Sequence, residues 1–314
     1  MSFSLTSNAT SASANYHLAK NQAELRKSLT RLASGKRIIA PYDDPGTLSV
    51  SMKLGATINR LKGADNNLQS AMSFLEVQDG ILGAVGKVVS RMNELKGLSS
   101  QDPMKSDQDV ESYNNEFRDL QLQLYQMSQQ TFNGVSLFAN FTTKKGDTEV
   151  LFRGSATEDN TISIFTSPDG SDGPAISIHK SSLLSALTID QTSVDTSMNY
   201  SDRIGNNDVF SFAVSILSDT FTLDAVSSGV FEKALENVAY LRAQAGGSMS
   251  RVTFASDTIS VQRTNMKAAL SRMVDVDVAE ESARMAKYSV LTQASAAMVA
   301  QANSLSEVSL ILLR

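Results

Sequence analysis

The sequence predicts a mostly α-helical fold, an elongated antiparallel helical bundle or coiled coil built from both chain ends, with a small β-rich region in the middle of the chain. Three observations predict it. Leu54, Leu61, Leu68, Leu75, Leu82 and Val89 recur every seven residues, and Ile58 and Met72 complete an a/d seam. Both ends carry uncharged stretches rich in small residues, 1–19 and 288–306, of the kind that lets helices approach closely. Between about 135 and 225 the pattern changes to alternating or short apolar runs parted by Gly, Asp, Asn and Pro.

The elements follow in order. Leu18, Leu25, Leu29 and Leu32 mark one stripe of a helix over about 8–34, which Gly35 can end. Pro41 and Pro45 then forbid helix at two points, and Asp43 or Asp44 can cap a new one with Pro45 in its first turn. That second helix, 46 to about 98, would be roughly 80 Å long at ~1.5 Å per residue, so the molecule is expected to be a rod. Asp65, Asp79, Gly80, Gly83 and Gly86 interrupt its seam and suggest close contacts or bends. Phe117, Leu120 and Leu124, with Val110, Tyr113 and Met127, give a second rod helix, and Asn133-Gly134 a hairpin.

"TEVLFRG", "NTISIFT", "AISIH" and "VFSFAVSI" read as short strands between exposed loops. Phe231, Leu235, Val238 and Leu241 reopen a helix that continues through Ile259, Met266 and Met273, locally weakened at Gly246-Gly247. A last helix begins after Asp275 or Asp277, where Glu280 and Glu281 favour an N-terminus. The ends then pair as neighbours, and the basic run 20–37 facing the acids of 275–281 can set register within or between copies. The expected division is 1–40 and 275–314 as two halves of an inner coiled coil, 41–145 and 226–274 as rod, and 146–225 as a solvent-facing region.

Composition narrows the function. A net charge of −5 argues against general nucleic-acid binding. The uncharged 288–306 run holds eight Ser, Thr, Gln or Asn residues and is too polar for a membrane span. Cysteine is absent, an ordinary secretory leader is missing, and His17 and His179 have no metal-ligand spacing. Asp43 with Asp44 reads as a turn and cap rather than a catalytic pair, "SPDGSDG" lacks the oxygen ligands of a calcium loop, and "GAVGKV" is no phosphate loop. No catalytic residue, metal or cofactor is expected, and no enzyme activity.

"RLASGKRI" followed by "DDPGTLSVS", then "SQQTFNGVSLF", and "DVDVAEESARMAKYSVLTQASAAMVAQANSLSEVSLILLR" resemble bacterial flagellin over about 1–145 and 226–314. The resemblance implies a structural subunit exported unfolded by the flagellar type III apparatus with a chaperone. Outside the cell it would polymerise with itself into the flagellar filament, for motility, and meet the filament cap and hook-associated proteins. "SGKRI" with "DDP" also resembles hook-filament junction proteins, and a secreted enzyme with flagellin-like export ends is a more distant alternative.

The resemblance implies roles for particular residues. Leu18, Leu25, Leu29, Leu32, Val290, Met298, Leu305, Leu310, Leu312 and Leu313 belong to self-assembling inner helices. Leu54, Leu61, Leu68, Leu75, Leu82, Val89, Phe117, Leu120, Leu124, Ile259 and Met266 form the rod core, with Pro41, Asp43, Asp44 and Pro45 as the spoke between them. Arg91, Leu95 and Glu116 match a surface that an innate immune receptor reads in the family, and equally fit ordinary rod-surface residues with Leu95 in a helix contact. Helices with such weakly apolar faces cannot offset an ordering entropy of ~1–2 kcal/mol per residue, so the ends are expected to be disordered in the free monomer and to fold on polymerising.

Overall fold

A computed structural model describes residues 9–100, 105–139, 161–192 and 208–312. The helices are α1 (Ala9–Ser34), α2 (Pro45–Ser100), α3 (Asp107–Ser128), α4 (Leu183–Ala186), α5 (Ser228–Val274) and α6 (Val278–Leu312). Three antiparallel strand pairs join β1 (Thr131–Phe132) to β2 (Val135–Ser136), β3 (Thr161–Phe165) to β4 (Ala175–His179), and β5 (Thr188–Asp190) to β6 (Val209–Ser211). The chain divides into two compact units, Met1–Asn59 with Arg263–Arg314, and Arg60–Gln262. Long helices α2 and α5 contribute a segment to each.

In the first unit α1 and α6 run antiparallel. Gly35, at φ +69°, takes the left-handed conformation that ends α1. Its carbonyl accepts from Val276 N at 3.0 Å while Arg37 N donates to Val274 O at 2.7 Å. Two chain breaks are thereby sewn together. Of the candidate caps for α6, Asp277 is the one used: its carboxylate accepts from the amides of Ala279 at 2.9 Å and Glu280 at 3.2 Å.

The second unit holds the core. Leu61, Leu68, Leu75, Leu82 and Val89 are fully buried, so the sevenfold seam of α2 faces inward along the whole unit. Phe117, Leu124 and Ile259 join them, whereas Leu120 is half-buried. Rings tie the elements together, Phe117 lying 5.5 Å from Phe221 and Phe212 lying 4.9 Å from Phe231. At the start of α3 the Asp109 carboxylate reaches back to the Ser106 amide at 3.0 Å, a reciprocal cap. Asn133 and Gly134 both take positive φ, 49° and 79°, as the two-residue turn between β1 and β2 requires.

Several expectations change. Helix α2 is unbroken over 56 residues, and a Cβ placed on Gly86 would meet only Val238 Cγ1, at an ordinary 3.8 Å. A close approach that requires glycine is therefore absent at Gly83 and Gly86. Helix α5 likewise continues through Gly246-Gly247. The middle of the chain is not uniformly solvent-facing: residues 181–189, "SSLLSALTI", are buried without exception. The "TEVLFRG" strand lies outside the described residues.

Buried amides explain how an irregular segment sits inside. Asn237 donates to Ala186 O at 2.9 Å, Gln78 to Leu137 O at 2.7 Å, and Gln121 to Phe221 O at 2.9 Å. Asn114 accepts from Leu223 N at 2.9 Å, and Lys96 donates to Leu223 O at 2.7 Å. Backbone groups that have left regular structure find side-chain partners on the helices, which removes the cost of burying them unpaired.

Candidate assembly site

The first unit is held together by polar ties more than by a core. Ser11 donates to Asn303 at 2.7 Å, Asn21 to Ser295 at 2.9 Å, and Arg31 faces Glu281 at 3.8 Å. These contacts pin the register of α1 against α6 within one copy. Glu281 is 97% buried in side-chain and backbone together, and takes a second guanidinium, Arg284, at 3.7 Å. Among the described residues this unit buries only three apolar side chains, Ile38, Ile58 and Ala302.

Its apolar side chains instead face outward. Val290 is 65% exposed, Met298 66%, Tyr16 66% and Leu29 47%. Leu18, Leu25, Leu32 and Leu54 are half-buried, as is Met266. Leu305, Leu310 and Leu312 fall in α6 where side chains are not described, and Leu313 lies outside the described residues. The ends are helical in the single chain, where disorder was expected; what they lack is burial, since small and polar residues occupy the contact between them.

The linker between α1 and α2 is built by its two aspartates, each with a different task. Asp44 caps α2, accepting from Thr47 N at 3.0 Å and from the Thr47 hydroxyl, which holds its carboxyl below the usual range. Asp43 accepts from the amides of Ile39 and Ala40, both at 3.2 Å, and pairs with Lys27 at 2.7 Å. The Lys27 hydrogen bond outweighs burial and lowers its pKa to about 2. Pro41 and Pro45 are exposed, Pro41 in the linker between the helices and Pro45 as the first residue of α2. Beside them Tyr42 is 84% and Met52 69% exposed, two residues the spacing of the heptads did not single out.

Arg91, Leu95 and Glu116 do not share one environment. Leu95 is fully buried in the second unit, as a residue in a helix contact is; it follows Val89 and Met92 on the buried stripe of α2, outside the sevenfold series. Arg91 and Glu116 are on the surface but engage each other, with Nε 2.8 Å from one carboxylate oxygen and a terminal nitrogen 3.2 Å from the other, and Arg91 also meets Glu94 at 2.8 Å. The two carboxylates raise the Arg91 pKa. Among the described residues no group of three His, Asp or Glu side chains is placed to hold a metal, and no helix is long and apolar enough to cross a membrane.

Comparison with known proteins matches two family models. The model for the bacterial flagellin N-terminal helical region covers residues 5–143, and that for the bacterial flagellin C-terminal helical region covers residues 229–313. A flagellin of Listeria monocytogenes is 29% identical over 288 residues, 91% of each chain. The flagellin of Bacillus subtilis is 26% identical and a 33 kDa flagellar filament core protein of Treponema phagedenis also 26%, each over 95% of both chains. The crystal structure of Bacillus cereus flagellin covers 65% of this chain and 94% of its own at 18% identity, with a TM-score of 0.41.

Proposed function

The chain belongs to the bacterial flagellin family, and from that premise we propose that it is the structural subunit of an extracellular flagellar filament, polymerising with itself for motility. Its terminal helices α1 and α6 form the inner layer of the polymer. The segments of α2, α3 and α5 form the layer around it, with the Pro41–Pro45 linker as the spoke. Export in an unfolded state by the flagellar type III apparatus, with a chaperone, precedes assembly, and the cap and hook-associated proteins are its other partners.

One observation carries the reading: the two ends that match the family models are paired as helices, yet they leave Tyr16, Leu29, Val290 and Met298 exposed and bury almost no apolar side chain between them. Neighbouring copies supply the missing burial, at roughly 25 cal/mol per Å² of apolar surface covered. Assembly is then coupled to consolidation of the ends. Nothing observed favours a hook-filament junction protein. Electron microscopy of purified protein added to filament seeds tests the reading. Long filaments are expected, and a short ring or cap that stops growing would overturn it.

A further inference from the structure

Resting on the filament reading, we propose that the exposed Ile216-Leu217 turn of one copy seats in the groove beside Phe254 of another, giving the second unit its own contact between subunits. Both features belong to that unit. The groove, about 570 Å³, lies between the β3–β4 hairpin and α5 and is walled by Pro168, Pro174, Ile176, Phe254, Ala255 and Thr258. Phe254 is 70% exposed, and Val261, one heptad further along the same face, 60%. A large ring held out beside an apolar groove is the form an interface anchor takes.

The turn supplies the matching knob. Ile216 is 54% and Leu217 65% exposed. Their shape is set before any docking, because Asp219 N donates to Ile216 O at 3.1 Å, Thr220 N to Leu217 O at 3.3 Å, and the Thr220 hydroxyl to Leu217 O at 2.8 Å. A turn pinned in this way loses little freedom on binding.

Charge selects the same pairing. The Asp219 carboxylate follows the knob directly, and Arg251 lines the groove, using one N–H on Ser177 O at 3.3 Å and retaining others for an incoming carboxylate. Asp169, in the same lining, would repel Asp219 and so favours the register that brings it to Arg251. A knob and a separate groove on one chain make a heterologous contact, which propagates as an open helix unless a rotation closes it. Such symmetry is what a filament needs.

The chain contains no cysteine, so an engineered disulfide reports one contact. Full-length Leu217→Cys and Phe254→Cys proteins are mixed, polymerised on wild-type seeds and oxidised. The expected result is a covalent dimer in the mixed filaments, roughly tenfold above either variant alone, because only Cα atoms within about 7 Å can be bridged. Mixed filaments without that dimer overturn the contact and leave the filament reading intact. If unsubstituted protein does not polymerise on seeds, the filament reading falls and this contact with it. A second pair covers the case in which the cysteine variants do not assemble. Asp219→Arg and Arg251→Asp should each slow elongation by roughly three- to tenfold, and the double variant, which restores opposite charge across every contact, should recover it. No recovery overturns the pairing.

Discussion

The two units of this chain are built from the same kind of helix and differ in what those helices bury. The unit comprising Arg60–Gln262 packs thirty-seven apolar side chains out of solvent among the described residues, against three in the unit made from the two chain ends. Its ring contacts and the α2 seam bury apolar groups, and the buried amides meet freed backbone groups, within one copy. The end unit satisfies its backbone by helix formation and its register by polar ties, leaves Leu29, Val290 and Met298 outside, and only half-buries Leu18, Leu25 and Leu32. A helix can thus be fully formed while its energetic closure lies in another molecule.

The largest test of that contrast is truncation. Removing residues 1–34 or 290–314 should abolish elongation on seeds while the melting transition of the Arg60–Gln262 unit, followed by calorimetry, stays where it is. Normal filaments from either truncation would break the contrast.

Point substitutions sharpen it in opposite directions. Phe231→Ala, in the core of the second unit, should cost about 3–5 kcal/mol in denaturant unfolding of the monomer. Val290→Ala, 65% exposed, should change monomer stability by less than about 0.5 kcal/mol and yet raise the concentration needed for growth. Equal effects of the two on the monomer would mean that the ends carry a core of their own.

Gln121→Leu removes the donor to Phe221 O and should cost about 1–3 kcal/mol. The loss should accompany faster amide exchange at Phe221, whose N–H donates to the same side chain, while Asn114 still holds the Leu223 amide.

The smallest effect belongs to the linker. Asp43 has a folded pKa of about 2 against an ordinary 3.8. A depressed carboxyl pKa contributes stability that is complete above the ordinary value and is lost as pH falls toward the folded one. Asp43→Asn should therefore remove an acid-side loss of helix stability between pH 3.8 and about 2, measured by circular dichroism. Its size should stay near or below ~1 kcal/mol, because Lys27 is 38% exposed and solvent screens the pair.

Much of the fold could be read from residues alone, element by element. The leucine spacing of α2, the prolines before it and the Asn133-Gly134 turn each encode local geometry, so helix limits came within a few residues of those observed. The choice of Asp44 over Asp43 as the cap could not be read, because both sit at a plausible distance and only the position of Lys27 across the turn assigns the other. For Leu95 the resemblance points to a surface and helix packing to a contact, and the burial of its side chain agrees with the contact. Arg91 and Glu116 are part-exposed, and their mutual pairing spans 25 residues and has no local signal.

By itself the sequence determined where helices start and stop, since periodicity, prolines and caps act within a few residues of themselves; the pairing of the ends followed from the order of the elements, and the polymer subunit from the family resemblance. Only the tertiary structure decided what those helices enclose. "SSLLSALTI" is too short to have a period, and its burial depends on Asn237 and the surrounding rings arriving from far along the chain. The same holds in reverse for Val290 and Met298, whose apolar character was plain and whose exposure follows from the small residues that fill the α1–α6 contact.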